Sequence, residues 1–343
     1  MAGTLAVRPP AWSAAGGAAC ATGAVALPGD QPEAAAVLGY RFDALGCTGR
    51  IRMAGTTQGR AEAFIIDALG WLRDLERRLT RFSDDSVIGR LNALAGRGAV
   101  RADGECLAVI AAAERAWKAS AGRLDATVLP LWRLWHAAER RSWPDADEVS
   151  RARALVGWCK LHRHGDSIAL AHPGMAVDLG GVGKEWAVDQ LVERAAAAGI
   201  RDILVELGGD CRARGRQGGP AGWWVALPGA RAALLLADEA LATSGTGTRR
   251  RLIAGRHVPH LIDALSGMPG GGGLRCASVL SPSCLEAGIR ASDCCLLADA
   301  AAPAISGRSA GWPIWCEGTD GLLYADPRLL ARVHAITGPR ADA

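Results

Sequence analysis

"VDLGGVGKEWAVDQ", residues 177–190, runs an apolar stretch up to Asp178, turns through closely spaced glycines and enters a helix near Lys184. Small residues let a ligand approach the backbone, and a helix that starts there offers free N–H groups. Two glycine motifs that this stretch resembles at first sight both fail. A phosphate-binding loop needs GxxxxGK followed by Ser or Thr, whereas Asp178 stands at the first glycine position and Glu185 follows Lys184. A dinucleotide GxGxxG counted from Gly181 and Gly183 puts Trp186 at the third glycine. The lysine itself is conspicuous, being one of three (Lys118, Lys160, Lys184) beside 36 arginines. On local grounds Asp178 suits a polar ligand edge and Lys184 a phosphate. A tight strand-to-helix turn with a solvated lysine is the plainer alternative.

Working outward, "YRFDALGCTGRIRMA" (40–54) reads as a strand interrupted by a glycine turn, and Ile65, Leu69, Leu72, Leu75 and Leu79 recur at helical spacing. "RFSDDSVIGRLN" (81–92) is a polar turn into a short helix capped by Ser86 or Asp85. A further helix is expected over about 105–120, and "AGRLDATVLPLWRLW" (121–135) enters a loop stiffened by Pro130. From about 155 the pattern turns to short strands: "WCKLH", "DSIALA" and "GMAVDL". The helix after Lys184 carries Val188, Leu191, Val192 and Ala195 on one face and is closed by Gly199. "DILVEL", "WWVALP", "AALLLA" and "RCASVLSP" continue as strands before a helix near 285–298, and Gly270–Gly273 reads as a mobile loop. Helices and strands in mixed order predict an α+β fold of mixed sheets flanked by helices, not a regular βαβ array.

The bulk composition excludes several classes. A net charge of +4, dispersed along 343 residues, gives no reason for a nucleic-acid partner. No run of about 18 uninterrupted apolar residues predicts a transmembrane span. Ten cysteines without a CxxC read as reduced, buried thiols, which favours the cytoplasm. Residues 1–38 read as a flexible tail and 331–343 as a second one. An exported or lipid-anchored chain, through the Ala-rich segment around Cys20, is the alternative.

Seven more segments accompany the opening stretch. "ALGC" (44–47), "RFSDDSVIGRLN" and "GRLDATVLPLWRLW" (122–135) precede it; "VELGGD" (205–210), "LATSGT" (241–246), "HLIDALSGMP" (260–269) and "SVLSPSCLEAG" (278–288) follow. In this order they resemble the ApbE family of FAD:protein FMN transferases over about residues 39–325, within a domain drawn at 39–330. The resemblance implies an ApbE-like (T-fold-like) architecture and a flavin transferase. Such an enzyme binds FAD, uses Mg2+ at its pyrophosphate, and passes FMN to a Thr or Ser hydroxyl of an acceptor protein while AMP leaves. Two further outcomes are a degenerate FAD-binding protein without transfer and an FAD pyrophosphatase.

The same resemblance implies site residues. Leu45 and Phe82 would line a ring pocket; Arg123, Leu124 and Asp125 would form another FAD-contacting turn; Asp178 and Lys184 would hold polar and phosphate parts of FAD. The Gly181 carbonyl and Ser292 would bind the metal. In the histidine motif His260 would be the general base, with Leu261 against the cofactor and Asp263 beside the base. Leu45, Phe82 and Leu124 fit equally as core residues, His260 as a structural histidine, and Asp125 as a cap for the following turn. In one place the chain departs from the pattern: where the family has a metal-binding Asp four residues before Ser292, this chain has Gly288. Glu286 and Asp293 are the neighbouring carboxylates, and Gly288→Asp is expected to restore the i, i+4 pair with Ser292.

Overall fold

The computed structural model describes residues 5–7, 37–137, 140–217, 222–230, 232–247, 250–270, 273–297 and 311–335. Most of the segment read as an N-terminal tail, Gly271–Gly272 of the glycine loop and the last eight residues lie outside them. The elements are β1 (Leu5–Val7), β2 (Leu38–Ala44), β3 (Cys47–Ala54), α1 (Gln58–Leu79), α2 (Val87–Ala93), β4 (Ala99–Arg101), α3 (Gly104–Ala119), α4 (Leu129–His136) and α5 (Ala146–Ala154). They continue with β5 (Leu161–His164), β6 (Ser167–Leu170), α6 (Gly183–Ala197), β7 (Asp202–Leu207), β8 (Asp210–Arg214), β9 (Trp223–Leu227), β10 (Ala232–Leu236) and β11 (Ala240–Gly245). The last are β12 (Arg250–Ile253), β13 (Arg256–Pro259), β14 (Leu274–Ser281), α7 (Cys284–Leu296), β15 (Ile314–Gly318), β16 (Leu323–Ala325) and β17 (Val333–Ala335). This is the α+β class that the mixed element order predicts.

A nine-stranded sheet in the order β1-β16-β15-β14-β11-β8-β7-β3-β2 is the platform. Its two faces are separated by the strand period of two. Ile51, Met53, Ile203, Val205, Leu207, Ala240 and Ala242 join one core with α1, α3 and α6. Leu204, Cys211, Ala213, Leu241 and Leu280 point the other way, into a core shared with β9 and β10. Residues 333–335, in the stretch read as a C-terminal tail, add β17 to β10. Leu5–Val7, in the other, pairs with β16.

Helix starts follow the sequence closely. Of the two candidate caps it is Ser86 whose hydroxyl accepts from the Gly89 amide at 2.7 Å, and Gly199, with φ +77°, ends α6. Three expectations are corrected, the first being "WCKLH", of which Trp158–Lys160 form a 3-10 turn and only Leu161 and His162 enter β5. Pro130 does not stiffen a loop; it sits in the first turn of α4, where its missing N–H is harmless and its fixed φ suits a helix. "GMAVDL" is no strand: one isolated bridge, Val128 to Ala176, ties it to the 123–128 turn. Its backbone is instead held by Asn92, which accepts from the Val177 amide at 2.7 Å and donates to the Val177 carbonyl at 3.0 Å.

Asp189 fixes how α7 lies on α6. From the middle of α6 its buried carboxylate accepts the Cys284 amide at 2.8 Å and the Leu285 amide at 3.0 Å, at the positive end of α7. Arg212 on β8 closes the charge at 3.2 Å. Asp189→Ala is therefore expected to lower unfolding free energy by about 2–4 kcal/mol, measured by urea denaturation, because two buried amides and a cation lose their partner together.

Candidate active site

Two hairpin tips lie side by side at one end of the large sheet. Leu45 and Gly46 join β2 to β3 with φ of +52° and +69°; Gly208 and Gly209 join β7 to β8 with +62° and +96°. Positive φ at both central residues is the turn that matches strand twist. Leucine is a costly choice for it, and such outliers collect at functional positions. The Gly208 amide donates to the Thr48 carbonyl at 3.0 Å. A Cβ at Gly208 would stand 2.9 Å from the Cys47 sulfur and 3.5 Å from Cδ of Lys184, so the tips and the lysine leave no room for a side chain.

Lys184 is not the solvated lysine of the plainer reading. Its ammonium donates to Asp210 at 2.6 Å and to Glu185 at 3.1 Å, and its side chain is 16% exposed. Burial alone would lower its pKa, but the two carboxylates outweigh it and hold the ammonium well above the ordinary lysine value. Burial pushes the Glu185 carboxyl up to about 7, with Lys184 opposing the rise and Asp210 adding to it. A compact ammonium can sit between two carboxylates where a guanidinium fork is too broad, which answers why arginine does not serve here. Asp210 Oδ1 also accepts the Thr243 amide at 2.9 Å, so "VELGGD" and "LATSGT" meet through one carboxylate. Beside them Ser244 and Ser292 pair their hydroxyls at 3.1 Å.

At the start of α6 the Val182 and Gly183 amides donate to the Leu179 carbonyl at 3.1 and 2.8 Å, and no side chain caps the amides that follow. Val182, its N-cap, supplies no side-chain cap, and Gly180 and Gly181 before it are exposed. First-turn amides of such a helix attract negative charge. Asp178, just upstream, is committed: Oδ1 accepts the Gly180 amide at 2.9 Å and Oδ2 meets Arg81 at 3.0 Å.

Arg81 builds a second pole. Its guanidinium lies 4.3 Å from the Phe82 ring centroid and 4.7 Å from that of Trp132. Phe82 is 83% exposed, so it is not a core residue. Leu45 and Leu124, by contrast, are partly buried against the main core. Arg81 and Trp132 carry no signal of their own in the sequence. They are recognised only once the 81–86 turn, α4 and Asp178 come together.

The third pole is the histidine motif. His260 follows β13 and is partly buried; the loop after it closes by the Ile262–Pro269 bridge and by the Gly270 amide donating to the Leu261 carbonyl. Leu261 packs against α7 and β14. Asp263 Oδ1 accepts the Leu265 amide at 2.8 Å, and Oδ2 is 3.8 Å from Arg123. Asp263 thus shapes the loop that carries His260. Asp125 takes the capping role: it accepts from the Thr127 amide and hydroxyl and, 33 residues on, from the Trp158 amide at 2.7 Å. Its carboxylate therefore ties the turn to the segment at Trp158. The Arg123–Asp125 turn still borders the site through its backbone, because Arg123 accepts from Ala264 and Ala126 from Asp178.

The match to a family model runs over residues 45–311 and is that of the ApbE family. The chain belongs to the ApbE family. Relatives of this ApbE-family chain include the FAD:protein FMN transferase of Vibrio cholerae, 27% identical over 247 residues, 69% of this chain and 73% of that one. The protein of the same name from Klebsiella pneumoniae is 26% identical over 257 residues, 71% and 73% of the two chains. In fold, the apo crystal structure of Pseudomonas stutzeri flavinyl transferase ApbE superposes with a TM-score of 0.75 at 23% identity, over 90% of this chain and all of that one.

Among the described residues no group of three or more His, Cys, Asp or Glu is arranged as a metal centre, and no helix is long and apolar enough to cross a membrane. Lys184→Met should destabilise the chain by about 3 kcal/mol or more in a urea melt, because Asp210 and Glu185 are left buried together without a cation. Adding Asp210→Asn should return part of that loss, the non-additivity expected of groups in contact.

Proposed function

We propose that this chain transfers FMN from FAD to a Thr or Ser hydroxyl of an acceptor protein, in a magnesium-dependent reaction that releases AMP. The observation that carries this reading is the meeting of the Leu45 turn, the Gly208–Gly209 turn and Lys184 beside the uncapped start of α6. Membership of a family whose relatives are named FAD:protein FMN transferase supports it. Phosphoryl transfer asks little covalent chemistry of a protein; it asks for positioning, charge neutralisation and a proton acceptor.

The first-turn amides of α6 are the groups suited to the pyrophosphate. Lys184 stands in the same region, with two of its three N–H donors engaged by Asp210 and Glu185 and one left to face a phosphate. Phe82, Arg81 and Trp132 offer flat surfaces on which an aromatic ring can stack. His260 is the candidate base for the acceptor hydroxyl, with Asp263 as the residue that shapes its loop.

A divalent cation, when bound, would neutralise phosphate charge as the bond to AMP breaks. Its fit rests on oxygen donors: the Gly181 carbonyl, the Ser292 hydroxyl, and a buried oxygen of Glu185 that accepts no hydrogen bond.

The test is to incubate the purified chain with FAD, magnesium and Thr-bearing acceptor proteins and to look for flavin fluorescence that stays with the acceptor in a denaturing gel. FAD bound without a labelled acceptor marks a binder; FMN and AMP released without label mark hydrolysis. His260→Ala should lower transfer by about 100-fold or more and leave FAD affinity, read by flavin fluorescence titration, nearly unchanged. Equal loss of both makes His260 a residue that holds the cofactor. FAD should also bind more tightly than riboflavin, which lacks the pyrophosphate that α6 favours.

A further inference from the structure

We propose that Glu185, reaching across from α6, supplies the divalent-cation site with the carboxylate that position 288 of α7 lacks. The inference rests on the magnesium-dependent reading above, and it names a residue of this chain that the family pattern does not.

The first observation is steric. A Cβ built on Gly288 would lie 2.6 Å from Cγ, 3.2 Å from Cδ and 3.3 Å from Oε1 of Glu185. The space into which a side chain at 288 would project is therefore filled by the stem and carboxyl of Glu185. Gly288 and Glu185 form one arrangement in which an acid on α6 enters the place of an acid on α7.

The second observation is an unsatisfied oxygen. Glu185 is 7% exposed, and while Oε1 accepts from Lys184, its buried Oε2 accepts no hydrogen bond. A buried carboxylate oxygen without a donor is costly unless a cation meets it. Charge points the same way. Among the described residues Lys184 is the one cation paired with Asp210 and Glu185, so two carboxylates share one ammonium.

The other acids near α7 are placed differently. Glu286 pairs with Arg290 at 2.7 Å, and Arg290 is itself anchored on the Ala119 carbonyl. Asp293 lies 3.8 Å from Arg123. Both Asp210 oxygens have donors, the Thr243 amide and Lys184. Glu286 is thus unavailable for the role that sequence proximity to Gly288 suggests for it, and Asp293, five residues after Gly288, projects from another face of α7.

The register is built in. Asp189 is one turn beyond Glu185 on α6, and Cys284 is one turn before Gly288 on α7. The Asp189 bonds to the Cys284 and Leu285 amides hold the two helices in opposite directions with Glu185 facing Gly288. Gly288→Asp alone, expected from the sequence to restore a metal pair with Ser292, would instead drive its side chain into Glu185.

The probe is Mn2+, titrated into the full chain saturated with FAD and without acceptor, and read by the loss of free-ion electron paramagnetic resonance signal. Glu185→Gln keeps the shape and removes the charge, so it should weaken Mn2+ by at least about tenfold while FAD fluorescence quenching persists. Gly288→Asp alone should not tighten Mn2+, whereas Glu185→Gly combined with Gly288→Asp should recover most of the wild-type affinity. The combined variant also carries the test if Glu185→Gln fails to fold. Wild-type Mn2+ affinity in Glu185→Gln, or in Glu185→Gly without the second change, overturns the role of Glu185 and leaves the transferase reading standing. If the FAD-loaded wild type binds no Mn2+, the metal-dependent reading falls, and the role of Glu185 with it.

Discussion

The arrangement of the site depends on one buried charge group, Lys184 between Asp210 and Glu185. Removing three charges from water is expensive, and only close pairing makes the burial tolerable. Each contact of that group fixes a different element. Asp210 brings in the β7–β8 tip and, through the Thr243 amide, β11; Glu185 brings in α7; Lys184 belongs to the first turn of α6. At Gly208 a glycine is needed because a side chain there would run into Cys47 and the lysine stem.

A second constraint is Asp189 of α6, which holds the start of α7. It converts a contact between two helices into a defined register, since the first-turn amides of α7 donate to a carboxylate at one position only. Glycine at 288 then has a packing reason as well as a chemical one. The departure from the family pattern that looks like a lost ligand in the linear chain is, in three dimensions, a position already taken by a carboxylate from the neighbouring helix.

Much of the architecture was readable from periodicity and caps. The apolar face of α1, the Ser86 cap, the glycine that ends α6 and the apolar run of β7 are local signals whose physical causes lie within a few residues. The exceptions were local too, but ambiguous. Proline at the start of α4 reads equally as a loop former, since a first helical turn and a loop tolerate a missing N–H alike. "GMAVDL" has the apolar run of a strand, yet its edges are taken by Asn92 and by the 123–128 turn, so no ladder forms.

By itself the sequence determined the family, the α+β class, the unusual lysine and the motifs that border the site, because ordered short motifs and hydrophobic spacing are properties of the chain. It could not assign Lys184 its partners: Asp210 is 26 residues away, and a phosphate contact satisfies the same local pattern. It also could not show that Asp125, besides holding its own turn, accepts the Trp158 amide 33 residues on. Whether the acid missing at 288 is replaced was a matter for tertiary structure alone. A side chain on one helix fills space beside another only through packing, and no spacing along the chain encodes that distance.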